Sequence, residues 1–173
     1  MGDLITALEI IVLILAIIGV WILYPIIYGA IWQPTPMDSV RRMLEKAEVG
    51  INDTLYDLGS GDGRIVTTAV KEFGARAVGI EVDPILVSWS RFKIRTQGLE
   101  GRARIVRGNL FKEDLSSATV VTIFLRQGVN NALRDKFKGE LRPGTRVVSY
   151  IHTFDGWEPE RIDEASKIYV YTI

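Results

Sequence analysis

Tyr56-Asp-Leu-Gly-Ser-Gly-Asp-Gly-Arg64 is the stretch of sequence that decides the fold. It continues a short apolar run, Thr54–Leu58, and precedes Ile65–Phe73, in which apolar residues recur at helical spacing. Glycines between a strand and a helix let the backbone turn sharply and approach a ligand closely. The N-terminus of the helix behind them offers unpaired amide groups. The stretch therefore predicts a ligand-binding turn.

An acidic side chain stands where the next strand is expected to end. Glu81 lies near the end of the predicted strand Ala77–Val82, about 20 residues after the glycines. An acid in this place typically bonds the ribose hydroxyls of a nucleotide. The dinucleotide fingerprint would also require a glycine where this chain has Arg64. The pattern therefore favours a nucleoside-containing ligand other than NAD or FAD.

Strand and helix patterns alternate through the rest of the chain. Helices are predicted at 37–47, 65–73, 84–97 and 129–138, and strands at 54–58, 77–82, 103–107, 118–125, 146–151 and 167–173. Asp83 before Pro84 is predicted to cap a helix rather than to bind a ligand. Strands separated by helices of this length form βαβ units. The predicted fold is therefore α/β, with a mostly parallel sheet and helices on both faces.

The N-terminal segment differs in composition from everything that follows. No charged residue occurs between Glu9 and Asp38, and the apolar run Ile10–Trp32 is long enough to cross the ~30 Å core of a bilayer as a helix. This predicts a membrane anchor over residues 1–33, with a span at about 10–32, followed by a domain over residues 34–173.

Basic residues follow the predicted span, and none precedes it. Arg41, Arg42 and Lys46 lie shortly after the apolar run. The positive-inside rule then predicts a single-pass membrane protein whose catalytic domain is cytoplasmic.

Composition excludes several other classes of protein. The 173 residues include no Cys, so disulfide scaffolds, Cys-ligated zinc and thiol catalysis are excluded. The 21 basic residues balance the 21 acidic ones, which gives no electrostatic reason to expect nucleic acid as a partner.

The spaced motifs resemble those of class I S-adenosylmethionine (SAM)-dependent methyltransferases, and more closely the seven-strand protein-lysine methyltransferases. This branch includes an archaeal broad-specificity enzyme and mitochondrial enzymes that modify the ATP synthase c-subunit and the adenine nucleotide translocase. The matching stretches are Pro34–Pro36, Tyr56–Ile65, Ala77–Glu81, Gly108–Leu110, Thr122–Leu125 with Asn130, Arg146–Ser149 and Gly156–Pro159. The resemblance implies a Rossmann-like fold, SAM as cofactor and methyl transfer to lysine side chains.

The resemblance also implies which residues hold the cofactor. Asp57 would face the ammonium group of SAM, Glu81 the ribose hydroxyls, and Asn109 the adenine edge. The complete expected set is Thr35, Asp57, Gly59, Ser60, Gly61, Glu81, Val82, Asn109 and Leu110. Many methyltransferases have Asp in place of Asn109, but an amide still offers adenine a donor and an acceptor.

The acceptor amine is expected to enter past Asn130, Tyr150 and Trp157. Tyr150, Phe154 and Trp157 are either core aromatics or the lining of a lysine channel. His152, the single histidine, is a candidate general base, although no Ser or Asp constellation surrounds it. Burial in an apolar channel would in any case lower the pKa of a lysine without a dedicated base.

Methylation of lysines in membrane proteins, or in proteins close to the bilayer, is the predicted activity. The alternative is a membrane-anchored methyltransferase of a lipid or quinone, and a third reading is a SAM-binding protein without turnover. Phe124-Leu-Arg-Gln127 stands where DNA amino-methyltransferases carry Asn-Pro-Pro-Tyr or Asp-Pro-Pro-Tyr, which counts against a DNA substrate.

Overall fold

The computed structural model of the chain describes residues 2–28 and 33–173. The chain divides into two compact units, Met1–Gln33 and Pro34–Ile173. In the first unit the described residues form one helix, α1 (Gly2–Tyr28). The second unit contains every other helix and strand described below.

The second unit is built on a seven-stranded sheet. Its helices are α2 (Met37–Lys46), α3 (Arg64–Phe73), α4 (Pro84–Thr96) and α5 (Gln127–Glu140). Its strands are β1 (Thr54–Leu58), β2 (Arg76–Glu81), β3 (Ala103–Arg107), β4 (Val120–Ile123), β5 (Arg146–Tyr150), β6 (Arg161–Asp163) and β7 (Ile168–Thr172). The strand order is β3-β2-β1-β4-β5-β7-β6. The first five are parallel, while β7 pairs antiparallel with both β5 and β6.

Two apolar clusters cover the two faces of this sheet. Leu55 of β1 packs into a cluster with α2, α3 and α4, whereas Tyr56 and Leu58 pack into a second cluster with α5. This alternation follows from the two-residue side-chain period of a strand. The order reverses between β1 and β4, so the carboxyl ends of these strands open a crevice, the usual ligand site of such sheets.

The predicted α/β sheet with helices on both faces is confirmed. The strands predicted at 54–58 and 103–107 have the predicted ends, and the other predicted elements differ from the structure by a few residues at their ends. The three-residue strand β6 was not predicted. Asp83 caps α4 as predicted, because its side chain accepts hydrogen bonds from the backbone N–H groups of Ile85 and Leu86.

The predicted membrane topology is wrong. Among the residues that the structure describes, no helix combines the length and the apolar character needed to cross a bilayer. This finding overturns the expected single-pass localisation with a cytoplasmic domain. Residues 29–32 of the expected span lie outside the described residues.

Candidate active site

The glycine-rich turn lies at the carboxyl end of β1. Gly59, Gly61 and Gly63 all have positive φ angles, of 79°, 52° and 74°, which glycine adopts without steric cost. The backbone N–H groups of Gly59 and Ser60 donate to the carbonyl oxygen of Ile80 at 2.9 and 3.0 Å. The turn is therefore fastened to the end of β2 before α3 begins.

Glu81 is bonded to the same turn through its carboxylate. Its Oε2 accepts from the N–H of Gly61 at 2.8 Å, and its Oε1 accepts from the N–H groups of Val82 and Asp83 at 2.8 and 2.9 Å. A carboxylate has about four acceptor positions. Three are occupied by backbone donors, so the side chain is held in one orientation and retains acceptor capacity on Oε2.

Asp57 is a buried carboxyl group at the end of β1, only 3% exposed. Burial raises its pKa from 3.8 to about 7, against a hydrogen bond donated by the Thr122 hydroxyl of β4 at 2.9 Å, and the neighbouring charges of Glu81 and Asp62 raise it further. A cation beside Asp57 would favour its ionised form.

A second polar network joins the turn to the segment before α2. Arg64 donates Nε and Nη2 to the two carboxylate oxygens of Asp62, at 2.9 and 3.0 Å, and Nη1 to the carbonyl oxygen of Thr35 at 2.8 Å. Burial would raise the pKa of Asp62, but the bonds from Arg64 and the charge of Lys93 outweigh it and hold that pKa below its usual value. Thr35 is 5% exposed, so the linker Pro34–Pro36 is packed at this point.

Residues at the ends of β2 and β3 form the neighbouring rim. Val82 is 51% exposed, and the N–H of Gly108 donates to the carbonyl oxygen of Glu81 at 3.0 Å. Asn109 uses its amide oxygen to accept from the N–H of Phe111, which leaves its amide nitrogen for a ligand. Leu110 is half-buried against the α5-side cluster.

Asn130 lies fully buried in the first turn of α5, 0% exposed. Its amide nitrogen lies 3.1 Å from Ser149 Oγ and 3.2 and 3.3 Å from the carbonyl oxygens of His152 and Thr153. Its amide oxygen has no hydrogen-bond partner among the described residues. A buried acceptor without a donor is unusual in a folded protein, so this oxygen can accept a further hydrogen bond.

The aromatic candidates are divided between two surroundings. Tyr150 ends β5, where its ring packs against Phe124 in a T-shaped arrangement with the ring centroids 4.9 Å apart. Its hydroxyl lies 3.2 Å from the Ser39 hydroxyl of α2. Trp157 is half-buried against Phe154 and Tyr171, with ring centroids 5.0 and 4.8 Å away. Trp157 therefore belongs in part to the core aromatics, and the rest of its ring is exposed.

The structure joins most of the predicted cofactor residues, and it adds others. Thr122 and Ser90 bond to Asp57 and Gly61 of the predicted set but were not predicted themselves. Their hydrogen bonds join distant parts of the sequence, so no local pattern marks them. The signal for Ser90 was a polar side chain on the otherwise apolar buried face of α4, beside Val87 and Ile94.

The donors and acceptors present fit SAM. Asp57 offers a buried carboxyl group to an ammonium group, Glu81 offers a free acceptor position to a hydroxyl, and the glycine backbone allows close approach. NAD and FAD sites would need a glycine at Arg64, whose side chain is instead bonded across the turn.

The chain is similar to methyltransferases in both sequence and structure. The ANTKMT methyltransferase domain family matches residues 57–161. A protein-lysine N-methyltransferase of Saccharolobus islandicus is 46% identical over 82% of this chain and 92% of its own length. A lysine N-methyltransferase of the ATP synthase c-subunit, from Xenopus laevis, is 37% identical over 74% of this chain. The chain spans 54% of the Xenopus protein.

A solved structure is similar across nearly its whole length. It is described as an RNA methyltransferase from Salinibacter ruber in complex with S-adenosyl-L-homocysteine, and it is 46% identical with a TM-score of 0.79. The match covers 82% of this chain and 94% of that one. Since this neighbour and the family share SAM chemistry, the cofactor is S-adenosylmethionine. The chain therefore belongs to the ANTKMT methyltransferase family of SAM-dependent protein-lysine N-methyltransferases.

Proposed function

We propose that this chain methylates lysine side chains of proteins, with the amine entering past Asn130, Tyr150 and Trp157. The observation that carries the proposal is the buried amide oxygen of Asn130, which lacks a donor among the described residues. The archaeal relative that matches along most of both chains is named a protein-lysine N-methyltransferase, which supports the same acceptor.

The cofactor roles proposed for individual residues follow from their bonds. Asp57 takes the ammonium group, because its buried carboxyl lies at the end of β1 beside the glycine turn. Glu81 takes the ribose hydroxyls with the acceptor capacity left on its carboxylate. Backbone of Gly59, Ser60 and Gly61 faces the methionine part, and Thr35 covers it from the linker. Val82, Asn109 and Leu110 form the adenine rim.

On the acceptor side, the chain's own residues orient an amine and keep water away from it. SAM, when bound, supplies an electrophilic methyl group on a sulfonium. Asn130 Oδ1 accepts one N–H of the amine, which directs the nitrogen lone pair away from the amide. The rings of Tyr150 and Trp157 provide an apolar surface that favours the neutral amine. These residues position the reactants, the main requirement of an in-line displacement.

RNA is the second candidate acceptor, because the Salinibacter neighbour is described as an RNA methyltransferase. The balanced net charge of this chain gives such a substrate no electrostatic support. A lipid or quinone acceptor is the alternative considered from the sequence.

The test is to locate the transferred methyl group. The full chain is incubated with methyl-labelled SAM and a cell extract, and label is counted in protein, RNA and organic-solvent fractions. We expect protein label that acid hydrolysis releases as methyllysine. Label confined to RNA or to the organic fraction would overturn the lysine proposal while leaving the cofactor intact.

Variants of two tryptophans refine the same test. Trp157→Ala should lower the methylation rate by about tenfold or more, with a much smaller effect on the Kd of S-adenosylhomocysteine, since an acceptor contact is lost. Trp89→Ala is the matched control, because Trp89 is 53% exposed on α4. It should change neither quantity. Equal losses of rate and cofactor affinity in Trp157→Ala would remove Trp157 from the acceptor side.

A further inference from the structure

Ser90 of α4 is a fully buried hydroxyl, 0% exposed, that contacts the glycine-rich turn. Its Oγ donates to the carbonyl oxygen of Gly61 at 2.9 Å. Serines inside helices usually bond the carbonyl four residues earlier. Ser88 of the same helix does so, donating to Pro84 at 2.8 Å, whereas Ser90 reaches out of its helix to the turn.

Gly61 is consequently held at both of its polar backbone groups by side chains. Its N–H donates to Glu81 Oε2 at 2.8 Å, and its carbonyl oxygen accepts from Ser90. The φ angle of Gly61 is 52°, and a glycine there rotates more freely than any other residue. These two groups belong to the peptide planes before and after the Gly61 Cα, so the two side chains, from separate elements, together restrict rotation about the φ and ψ of Gly61.

Packing leaves Ser90 little freedom to move away. A Cβ atom built on Gly63 would lie 3.1 Å from Ser90 Cβ and 3.2 Å from its Oγ. The absence of a side chain at Gly63 is thus what lets Ser90 lie directly beneath the turn. Val87 and Ile94, the buried neighbours of Ser90 on α4, anchor the helix in the core.

We propose that Ser90 is a positioning residue for cofactor binding and that it acts through Gly61 on Glu81. Ser90 holds the peptide plane that follows Gly61 and so restricts rotation about the Gly61 backbone that would turn its N–H away from Glu81. The Gly61 N–H then keeps that carboxylate oriented for the ribose hydroxyls. The inference rests on the proposed ribose role of Glu81. Part of the affinity for SAM then depends on a helix hydroxyl that lies 29 residues from Gly61 in sequence.

A double-mutant cycle tests whether Ser90 affects cofactor binding through Gly61 and Glu81. The Kd of S-adenosylhomocysteine is measured by calorimetry for the full chain and for Ser90→Ala, Glu81→Ala and the double variant. In the parent background Ser90→Ala should raise Kd about tenfold, since a buried carbonyl loses its donor. In the Glu81→Ala background it should raise Kd less than about twofold, because residues in one network are not additive.

Control variants separate positioning from a general loss of structure. Ser88→Ala, on the same helix, should leave Kd unchanged. Ser90→Cys keeps the shape of the side chain with a somewhat larger and weaker donor and should give an intermediate Kd. It also replaces Ser90→Ala if that variant does not fold. With saturating SAM, kcat of Ser90→Ala should stay within about twofold of the parent while KM for SAM rises.

The possible results separate the role of Ser90 from the role of Glu81. Equal effects of Ser90→Ala with and without Glu81 would overturn the pathway through Gly61. An unchanged Kd in the folded Ser90→Ala or Ser90→Cys variant would remove Ser90 from cofactor binding altogether. A Glu81→Ala variant that binds as tightly as the parent would instead refute the ribose role of Glu81.

Discussion

The carboxyl group of Asp57 is ionisable and shielded from water, so we expect it to determine how cofactor affinity and folding stability depend on pH. The carboxyl is buried at the end of β1 and bonded to the Thr122 hydroxyl. Desolvation raises its pKa to about 7, so near neutral pH the ligand-free site holds a mixture of neutral and charged Asp57. A bound ammonium group would shift that mixture to the charged form.

Cofactor affinity should therefore depend on pH through Asp57. Below its pKa of about 7 the carboxyl must lose a proton before it can pair with an ammonium group. We expect the affinity for S-adenosylhomocysteine, measured by calorimetry, to rise between about pH 5.5 and 7.5. Asp57→Asn should bind more weakly at pH 7.5 and lose most of this dependence. A parent affinity that is flat across the range would contradict the assignment.

Folding stability should also depend on the protonation of Asp57, but it should fall as pH rises, whereas the cofactor affinity rises. The pKa of Asp57 is higher in the folded chain than its ordinary value of 3.8, so the folded state binds this proton more tightly. Its contribution to the free energy of unfolding is thus largest below about pH 4 and is lost as pH rises to about 7. Urea unfolding of the ligand-free parent and Asp57→Asn should show that difference. Parallel pH profiles for the two would be the contrary result.

Single residues were predictable from sequence only where a local pattern marked them. Asp57 lies at the end of β1, directly before the glycine-rich turn, and Glu81 ends β2. These positions relative to the turn indicated ligand-binding residues. Thr122 and Ser90 complete their hydrogen bonds across 65 and 29 residues of sequence. Such contacts depend on how strands and helices pack, which no local pattern records.

At the scale of elements, a glycine inside β2 sets how closely the turn approaches the sheet. A Cβ atom on Gly79 would lie 2.6 Å from both Ser60 Oγ and the Cδ1 of Ile105. Ser60 is therefore directed at β2, and its Oγ has no hydrogen-bond partner among the described residues. The sequence predicted β2 and the turn separately, but not that a missing side chain lets them touch.

Gly79→Ala should disturb both folding and cofactor binding. Because the added methyl group needs space already filled by Ser60 and Ile105, the turn must move, and overpacking of this kind typically costs about 1–3 kcal/mol. We expect a lower Tm and a higher Kd for S-adenosylhomocysteine. Gly139→Ala is the control, since nothing lies within 4 Å of its Cβ position. An unaltered Tm and Kd in Gly79→Ala would show that the turn is not set by this contact.

Element boundaries were otherwise predicted to within a few residues, and β6 is the strand that the sequence pattern did not predict. β6 has three residues and pairs only with β7, in antiparallel register. A strand this short gives too few residues for an alternating pattern to stand out. β4 has only four residues, but it lies within the nearly continuous run of apolar residues and Thr at 118–125, which is typical of a buried parallel strand.

At the scale of the whole chain, every proposed cofactor residue lies in the unit Pro34–Ile173. The earliest of them, Thr35, lies in the linker that precedes α2. Its backbone carbonyl binds Arg64, which also binds Asp62 in the glycine-rich turn. The linker is thereby joined to the cofactor site, although it is far from the turn in sequence.

Two truncated chains should separate the linker from what precedes it. Residues 34–173 should bind S-adenosylhomocysteine as tightly as the full chain, because they retain Thr35 and its bond to Arg64. Residues 37–173 should bind about fivefold to tenfold more weakly, since Arg64 loses a buried partner. Arg64→Gln in the full chain keeps the linker backbone, including the Pro36 carbonyl that accepts from the Val40 N–H of α2. A similar loss of affinity in this variant would attribute the effect to Arg64. Equal affinity for 34–173 and 37–173 would exclude the linker from cofactor binding.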